Sequence, residues 1–378
     1  MRAILTKLGI MAVSIVIGLA LLECGLRILG RYPPIAPHVM PAGAVFRDKE
    51  TDWDITYRTN SLGLRDIEHA YPRTATKRIV IIGASAAFGQ GVERELAYPA
   101  LLQELLIKRS DSTEVINVSA IGAGPENYYM LLREIGLRFH PDIVVVNVFG
   151  RDAAESPSLM KRTLRALSHN LRLFSLVRIV NKRLSDRRSA EFAANPDRFW
   201  EFLRDRCASF HSAGDCRDIV GHFRASHGSS MNMLAAAVLS DPEGVRQWVD
   251  TDSTSEGWSY FVANITAITR LCKEHGAKMV LAFMPEGAQV DPRQVALESS
   301  LGLQRSPSVL LEPGTFQVLV THLANTLGVG VYNPLGLFRS RIHGLFFEAD
   351  LHIDPAGHRL FAEGLATYLL EQGYLTSR

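Results

Sequence analysis

A regular alternation of short apolar runs and helical patterns, beginning near residue 78, is the feature that most constrains the fold of this 378-residue chain. Five runs are β-branched and apolar on both faces, which is typical of strands buried in a parallel sheet. The predicted strands are Arg78–Ile82, Val115–Val118, Ile143–Val148, Lys278–Phe283 and Val329–Tyr332. The predicted helices are Ala97–Lys108, Glu126–Phe139, Phe261–His275, Thr315–Leu327 and Pro355–Glu371. Repeated βα units predict an α/β domain with a parallel sheet and helices on both faces.

Composition excludes several classes of function. With 47% hydrophobic and 21% charged residues, the chain has the balance of a folded protein and the length for one large core or two modest ones. A net charge of +2 predicts no bulk attraction to nucleic acid. The sequence contains no CxxC motif and no cluster of histidines and cysteines that would indicate a metal site. We therefore expect no nucleic-acid partner, no metal and no organic cofactor.

The N-terminal segment does not follow the βα pattern. Leu8–Leu22 contains no charged residue, the apolar character resumes through Leu29 after Glu23 and Arg27, and Arg2 and Lys7 precede the run. This pattern predicts a single membrane-spanning helix within residues 1–30, with its N-terminus in the cytoplasm. A cleaved signal peptide and a buried helix of a soluble protein are the alternatives. The first two interpretations place the main domain on the periplasmic side of the inner membrane.

Two further segments lie outside the βα pattern. Residues 31–77 contain four prolines between positions 33 and 41, and we predict an ordered linker and entry segment leading into the domain at 78–378. Residues 152–258 are predicted to form a mostly helical insertion. Within it, Lys161–Arg188 carries nine basic residues against one acidic residue, with leucines at helical spacing. It is either a surface helix or a lid that approaches a membrane surface or an anionic substrate.

Cys207 and Cys216 flank a short polar loop in this insertion. In an oxidising compartment they can form a disulfide, and otherwise they are two unpaired thiols. The sequence leaves both alternatives open.

A serine follows the first predicted strand in the segment GASAAFGQGV, Gly83 to Val92. Ser85 would lie at the carboxyl end of a parallel strand, where such folds build their sites. The helix that follows would direct its N–H groups toward developing negative charge. A tight turn or a phosphate-binding loop is the alternative, although the P-loop lysine and the GxGxxG spacing are absent.

A second segment, DLHIDPAGH, lies near the C-terminus. Asp350 and His352 can act as orienting carboxylate and general base for a serine nucleophile, although a buried histidine satisfied by Asp350 is the alternative. Asp354 is predicted to cap the last helix, with proline at the first helical position. His358 falls inside that helix, so we interpret it as structural.

These blocks resemble the SGNH, or GDSL-like, hydrolase family, and in particular a membrane-anchored bacterial subgroup. That subgroup shares a segment similar to YRTNSLGLRD, Tyr57 to Asp66, and a trailing FGxGV after the serine loop. The aspartate that precedes the family's nucleophile is Ala84 here. The resemblance covers about residues 55–150 and 260–372. It implies a flavodoxin-like three-layer αβα sandwich and a carboxylester substrate.

The resemblance also implies an oxyanion hole. NVSAIG supplies Asn117 and Gly122, and the family uses the backbone N–H of this glycine as an oxyanion donor. A glycine chosen for its permissive backbone is the alternative. In FGRDAAE, Arg151 stands where the family has an oxyanion asparagine. Arginine can donate to an oxyanion, bind an anionic substrate or pair with Asp152.

The sequence therefore predicts a membrane-anchored serine acyl hydrolase, or an O-acyltransferase or deacetylase. Ser85 would attack an ester, Gly122 and Arg151 would hold the oxyanion, and His352 with Asp350 would move the proton. The expected substrate is an ester-bearing small molecule or an acylated glycan, for example a cell-surface polysaccharide. The alternatives are a degenerate relative that binds polysaccharide or acts as a scaffold, and a thioesterase acting on a carrier-bound acyl chain.

Overall fold

The computed structural model describes residues 2–29, 39–73, 77–109, 112–154, 191–192, 194–228, 230–341 and 343–376. The chain divides into two compact units, Met1–Pro37 with Pro157–Glu191, and His38–Ser156 with Phe192–Arg378. The basic segment Lys161–Arg188 lies outside the described residues.

The described part of the first unit is essentially one helix, α1 (Arg2–Ile28). Within the described ranges, no helix combines the length and the apolar character needed to cross a membrane. The membrane-spanning helix predicted within residues 1–30 is therefore not confirmed.

The second unit is built on a five-stranded parallel sheet. Its strands are β3 (Lys77–Ile82), β4 (Thr113–Asn117), β5 (Ile143–Val148), β6 (Lys278–Phe283) and β7 (Gly330–Tyr332). The spatial order is β4-β3-β5-β6-β7, and every neighbouring pair is parallel. Counted along the chain, this order is 2-1-3-4-5, which is the flavodoxin-like arrangement. The predicted parallel sheet is confirmed, since each predicted strand overlaps an observed strand.

Helices connect and follow the strands of the second unit. Those before the insertion are α2 (Ser85–Phe88), α3 (Tyr98–Arg109), α4 (Pro125–Glu134) and α5 (Arg151–Ala154). Those of the insertion are α6 (Pro196–Cys207), α7 (Ala213–His227), α8 (Met233–Ser240) and α9 (Pro242–Gln247). The remainder are α10 (Glu256–Glu274), α11 (Pro292–Ser300), α12 (Thr315–Leu327), α13 (Leu335–Arg339) and α14 (Pro355–Glu371).

One predicted helix is divided in the structure. The pattern over Glu126–Phe139 becomes α4, which ends at Glu134, followed by a 3₁₀ turn over Gly136–Phe139. At Gly136 an added Cβ would lie 3.1 Å from Cγ1 of Val80 in the sheet. This close approach of backbone to sheet suits glycine, a poor helix former, and the regular helix ends before it.

Helices cover both faces of the sheet. Ile79, Ile81 and Val145 point to one face and share a core with residues of α3 and α14. On the other face, Phe283 at the end of β6 stacks edge-on against Phe316 of α12, with ring centroids 5.9 Å apart. Because strand side chains alternate between faces, this arrangement gives the three layers that the resemblance implied.

The described part of the insertion is helical and has its own core. Trp200, Leu203, Phe223 and Leu234 are each at most 1% exposed within it. Cys207, which ends α6, is joined by a disulfide to Cys216 of α7. Of the two alternatives left open by the sequence, the structure contains the disulfide.

A β-hairpin precedes the sheet, within the segment that the sequence predicted as a linker. Strands β1 (Val45–Lys49) and β2 (Asp54–Arg58) pair antiparallel. Alternate residues of each strand are exposed and covered, so the hairpin packs one face only. This weak alternation follows a proline-rich stretch, and neither strand was predicted from the sequence.

Candidate active site

Ser85 lies at the carboxyl end of β3, as the first residue of the short helix α2. A Cβ at the preceding Gly83 would lie 2.8 Å from Cβ of Ala87 and 3.0 Å from Cβ of Asn147. Only glycine fits this approach between the turn and β5. In the 2-1-3-4-5 order, the chain reverses direction across the sheet at β3, and ligands bind outside the carboxyl ends at this point. The serine is partly exposed there.

The structure brings the three predicted catalytic side chains together. The Oγ atom of Ser85 lies 2.6 Å from Nε2 of His352. On the other side of the ring, Nδ1 of His352 contacts Oδ1 of Asp350, which also accepts a hydrogen bond of 2.9 Å from the backbone N–H of His352. A carboxylate at Nδ1 keeps a proton on that nitrogen, so Nε2 is available to accept the serine proton.

The Asp350–His352 segment lies on a short hairpin-like loop. Phe346 and Ile353 form an isolated antiparallel bridge, and the N–H of Phe347 donates to the carbonyl of His352 over 3.0 Å. The loop continues directly into α14, where Oδ1 of Asp354 accepts from the N–H of Gly357 at 2.9 Å. The predicted cap is therefore confirmed, and it fixes the chain two residues after His352.

His358 has a different environment from His352. Its side chain is buried in the core, and its Nδ1 accepts a hydrogen bond of 3.2 Å from the N–H of Tyr98. Burial, with smaller contributions from His352 and Arg65, lowers the pKa of His358 to about 3. The ring is therefore neutral near pH 7 and serves as an acceptor inside the fold, in keeping with the structural role that we predicted.

Arg65, from the segment Tyr57 to Asp66, binds the backbone of the serine loop from the protein interior. Its side chain is buried, and it donates to the carbonyls of Phe88, Gly89 and Val92. Its guanidinium lies 4.4 Å from the ring centroid of Tyr57, in a cation–π arrangement. The sequence singled out this segment only through the family resemblance. The structure shows that it fixes the backbone immediately after the serine.

Two glycines in the serine loop adopt left-handed backbone conformations. Gly89 has φ of 86° and Gly91 has φ of 85°. A Cβ at Gly91 would lie 2.6 Å from Phe347 and 2.8 Å from Trp53. Both positions therefore require glycine for their dihedral angles, and Gly91 requires it also for the close packing against the loop that carries His352.

Gly122 lies in an exposed turn after β4, with φ of 71°. The same loop approaches the serine turn, because the N–H of Ala120 donates to the carbonyl of Gly83 over 3.1 Å. Asn117 ties the loop to α2 through a 2.9 Å bond from Nδ2 to the carbonyl of Ala87. The structure thus places Gly122 at the correct edge of the sheet, and its role as an oxyanion donor stays a prediction.

Arg151 begins α5 at the carboxyl end of β5, and its side chain is exposed. The neighbouring Asp152 is buried and accepts from the hydroxyl of Tyr128 at 3.0 Å and from the N–H of Phe149 at 3.2 Å. A Cβ at Gly150 would lie 1.5 Å from the carbonyl oxygen of Trp248, so the insertion presses directly on this loop. The oxyanion role of Arg151 also stays a prediction.

Glu286 is a residue at this edge that sequence reasoning missed. It follows β6, and burial raises its pKa to about 7, while Arg305, the N–H of Gly150 and Arg151 oppose that rise. A glutamate three residues after a strand carries no distinctive sequence signal. Its position beside the Gly150–Arg151 loop shows only in three dimensions.

Potential metal ligands do not cluster in the described ranges, where no group of three or more histidine, cysteine or acidic side chains is arranged to hold an ion. The expectation that the protein needs no cofactor stays a prediction.

Comparisons with known proteins give structural similarity only. No protein-family model matches the chain, and no curated protein matches it. Solved structures similar to it include TesA, at 12% identity and a TM-score of 0.40, covering 78% of this chain and 99% of that one. An acetyl xylan esterase gives 12% identity and a TM-score of 0.40, covering 78% of this chain and 100% of that one.

A third similar structure is a lipolytic protein of the G-D-S-L family from Desulfitobacterium hafniense. It has 12% identity and a TM-score of 0.36, covering 77% of this chain and 99% of that one. Many of the similar solved structures are thus lipases, esterases and acylhydrolases of the family that the sequence blocks resemble. These similarities do not confirm a relationship to the membrane-anchored subgroup. At these identities and TM-scores, the similarity assigns no substrate and no catalytic role to the chain.

Proposed function

We propose that this chain is a serine acyl hydrolase of the SGNH type that acts on a carboxylic ester. The observation that carries the proposal is the 2.6 Å contact between Oγ of Ser85 and Nε2 of His352, whose Nδ1 faces Asp350. A hydroxyl, an imidazole and a carboxylate in this sequence of contacts form the arrangement that activates serine in acyl transfer.

In the proposed reaction, Oγ of Ser85 bonds to the ester carbonyl carbon while Nε2 of His352 takes the hydroxyl proton. The backbone N–H of Gly122 and the guanidinium of Arg151 are the proposed donors to the oxygen that becomes negative. The C–O bond to the leaving alcohol then breaks, and His352 returns the proton to that alcohol. Water, or a sugar hydroxyl if the enzyme is an acyltransferase, releases the acyl group by the reverse sequence.

The proposed substrate is an ester-bearing small molecule or an acylated glycan, and the proposed location is outside the cytoplasm. The Cys207–Cys216 disulfide supports this location, because structural disulfides persist mainly in oxidising compartments. A reporter that is active only outside the cytoplasm, fused to the C-terminus, tests it. Activity of a matched cytoplasmic reporter instead would contradict the location and would favour the thioesterase alternative.

A fluorophosphonate probe tests the catalytic proposal. Incubation of the protein with the probe, followed by intact mass measurement, should show one covalent adduct that the Ser85→Ala variant does not form. Circular dichroism of both proteins controls for folding. An adduct that persists in Ser85→Ala removes this serine from the mechanism. A well-folded wild-type protein that forms no adduct would support the degenerate binding or scaffolding alternative.

A further inference from the structure

Asp350, the proposed orienting carboxylate, lies at the tip of a loop that has little support of its own. Two backbone bonds of 3.0 Å, from Phe347 to His352 and from Asp354 to Leu345, form the bridge between Phe346 and Ile353 and close the base of the loop. Asp350 lies beyond these bonds, in the turn between the two sides. A short loop closed by so few bonds needs contacts from elsewhere if its tip is to hold a fixed position.

Those contacts come from two elements outside the sheet, and they meet at Ala349, the residue before Asp350. The N–H of Ala349 donates to Oδ2 of Asp52 over 2.8 Å, and its carbonyl accepts from the N–H of Met233 over 2.7 Å. Asp52 lies in the turn between β1 and β2, and Met233 is the first residue of α8 in the insertion. Both backbone groups of one residue are thus bound from opposite sides.

Two more contacts join the same three elements. The hydroxyl of Thr51 in the hairpin turn donates to the carbonyl of Met231 in the insertion over 2.6 Å. Leu351, between Asp350 and His352, packs against the core of the insertion. The hairpin, the insertion and the catalytic loop therefore form one connected junction.

Charge does not explain the presence of Asp52 at this junction. Burial, together with the nearby carboxylates of Asp350 and Glu348, raises its pKa, so the negative charge is unfavourable there. The bond to the N–H of Ala349 acts in the opposite direction. The useful property of Asp52 is therefore an oxygen that accepts this hydrogen bond.

We infer that Asp52 and the backbone N–H of Met233 are positioning groups that hold Asp350 and His352 against Ser85 by clamping Ala349. The inference rests on the proposed function, which it deepens by giving the hairpin and the helical insertion a role in catalysis. A displacement of about 1 Å in a catalytic group can cost up to about a hundredfold in rate. Loss of either bond therefore reduces turnover although neither group touches the substrate.

Substitutions at Met233 isolate its bond. Met233→Pro removes the N–H and puts the ring Cδ in the place of its hydrogen, so it breaks the bond and also pushes against the carbonyl of Ala349, while proline itself suits the first position of a helix. Asn232 already has the extended backbone (φ −134°, ψ 114°) that proline requires of the preceding residue. Met233→Ala is the matched control, because it removes the partly exposed side chain and keeps the N–H. With p-nitrophenyl acetate as substrate, we expect kcat of Met233→Pro to fall about ten- to a hundredfold, with KM little changed, and Met233→Ala to stay near wild type.

Substitutions at Asp52 test the other side of the clamp. Asp52→Ala should lower kcat to a similar extent while the melting temperature changes little, because removal of the carboxylate repulsion offsets the loss of the bond to Ala349. Asp52→Asn keeps an oxygen that can accept the bond and should recover much of the activity. Asp54→Asn, in the same hairpin and paired with Arg47, is the control. Wild-type kcat in both Met233→Pro and Asp52→Ala, with both folded, would overturn the inference.

A second measurement separates this inference from the proposed function. The Nδ1 proton of His352, identified by its absence in His352→Ala, can be followed by proton NMR without any turnover. We expect its resonance in the wild type and in Met233→Ala, and a shifted or broadened signal in Met233→Pro and Asp52→Ala. If the wild type forms no fluorophosphonate adduct, the proposed function fails, and the NMR signal still decides the clamp. An unchanged signal in both variants rejects it.

Discussion

Two histidines in this structure have both ring nitrogens engaged, and their partners give them opposite properties. His352 lies between a hydroxyl and a carboxylate, and 20% of its side chain is exposed. His69 lies between two carboxylates, with Nδ1 2.8 Å from Glu114 and Nε2 3.1 Å from Asp66, and only 3% of its side chain is exposed. One ring can gain a proton during a reaction, whereas the other must carry two protons to satisfy both of its neighbours.

The two carboxylate partners of His69 also shift its pKa. Burial lowers the pKa of His69, but hydrogen bonds and charge from Asp66 and Glu114 outweigh it, so the pKa is raised overall. The surrounding network includes Arg78, which is bound to Glu114 at 2.6 Å, and Arg94, whose guanidinium lies 3.9 Å from Asp66. Two fixed carboxylates that favour the charged form of His69 stabilise the fold, whereas a ring facing a neutral hydroxyl, as in His352, is suited to chemistry. Four measurements test this division between a catalytic and a stabilising environment.

Replacement of His352 should have the largest effect. We expect His352→Ala to lower turnover on the order of a thousandfold or more, because no other described group is placed to take the serine proton. Its thermal stability should change little, since the ring is partly exposed. Steady-state kinetics and a melting curve measure the two effects. His358→Ala is the control, and a larger loss of turnover in that variant would mean that the wrong histidine has been assigned to catalysis.

Replacement of Arg151 should have the next largest effect. The ester oxygen becomes negatively charged when serine attacks, and it then needs hydrogen-bond donors. Arg151→Ala should lower kcat about a hundred- to a thousandfold if its guanidinium is an oxyanion donor. Arg151→Asn restores a neutral amide donor and should keep most of the activity toward a neutral acetate ester. Activity of the asparagine variant as low as that of the alanine variant would indicate instead that Arg151 binds an anionic part of the substrate.

Replacement of His69 should have the opposite consequences from replacement of His352, namely a loss of stability with little loss of turnover. We expect His69→Asn to lower the free energy of unfolding by about 1–3 kcal/mol, because two partly buried carboxylates lose a charged donor. The turnover of the folded fraction should remain near wild type. Urea denaturation and kinetics on the same preparation measure both quantities. A large loss of kcat with unchanged stability would contradict the division between the two histidines.

The smallest effect should be the dependence of this stability on pH. A raised pKa in the folded state means that the contribution of His69 is fully present below its ordinary pKa and is lost as pH rises through the higher folded value. The difference in unfolding free energy between wild type and His69→Asn should therefore shrink as the solution becomes basic. Subtracting the variant removes the contributions of other titrating groups. A difference that grows with pH would show that His69 is neutral in the fold.

The sheet and its flanking helices could be predicted because their signals are local. Ile143–Val148, Lys278–Phe283, Thr315–Leu327 and Pro355–Glu371 begin and end as expected, since buried strands read as continuous apolar runs and the last helix carries a clear cap. The hairpin at Val45–Arg58 was missed because a strand covered on one face only leaves a faint alternation. The order of the strands depends on packing across the sheet, which no short segment encodes.

Residues of the candidate site likewise divide into those with a local sequence signal and those whose place depends on packing. Ser85, Asp350 and His352 stand in recognisable segments, and the structure brings them within contact. Asp52, Met233 and Glu286 could not be found in this way, because their relevance depends on which loops meet at the edge of the sheet. Met233 contributes a backbone N–H, a group that every residue except proline carries, so its side chain gives no signal at all.

The buried guanidinium of Arg65 has a practical consequence for dissecting the protein. A truncation starting at residue 77 would retain all five parallel strands and the three catalytic side chains. It would also delete the buried guanidinium that donates to the carbonyls of Phe88, Gly89 and Val92, and loss of a buried donor destabilises the loop that these carbonyls belong to. A fragment that keeps the nucleophile loop ordered therefore has to begin upstream of Arg65, well before the point where the βα repeat itself starts.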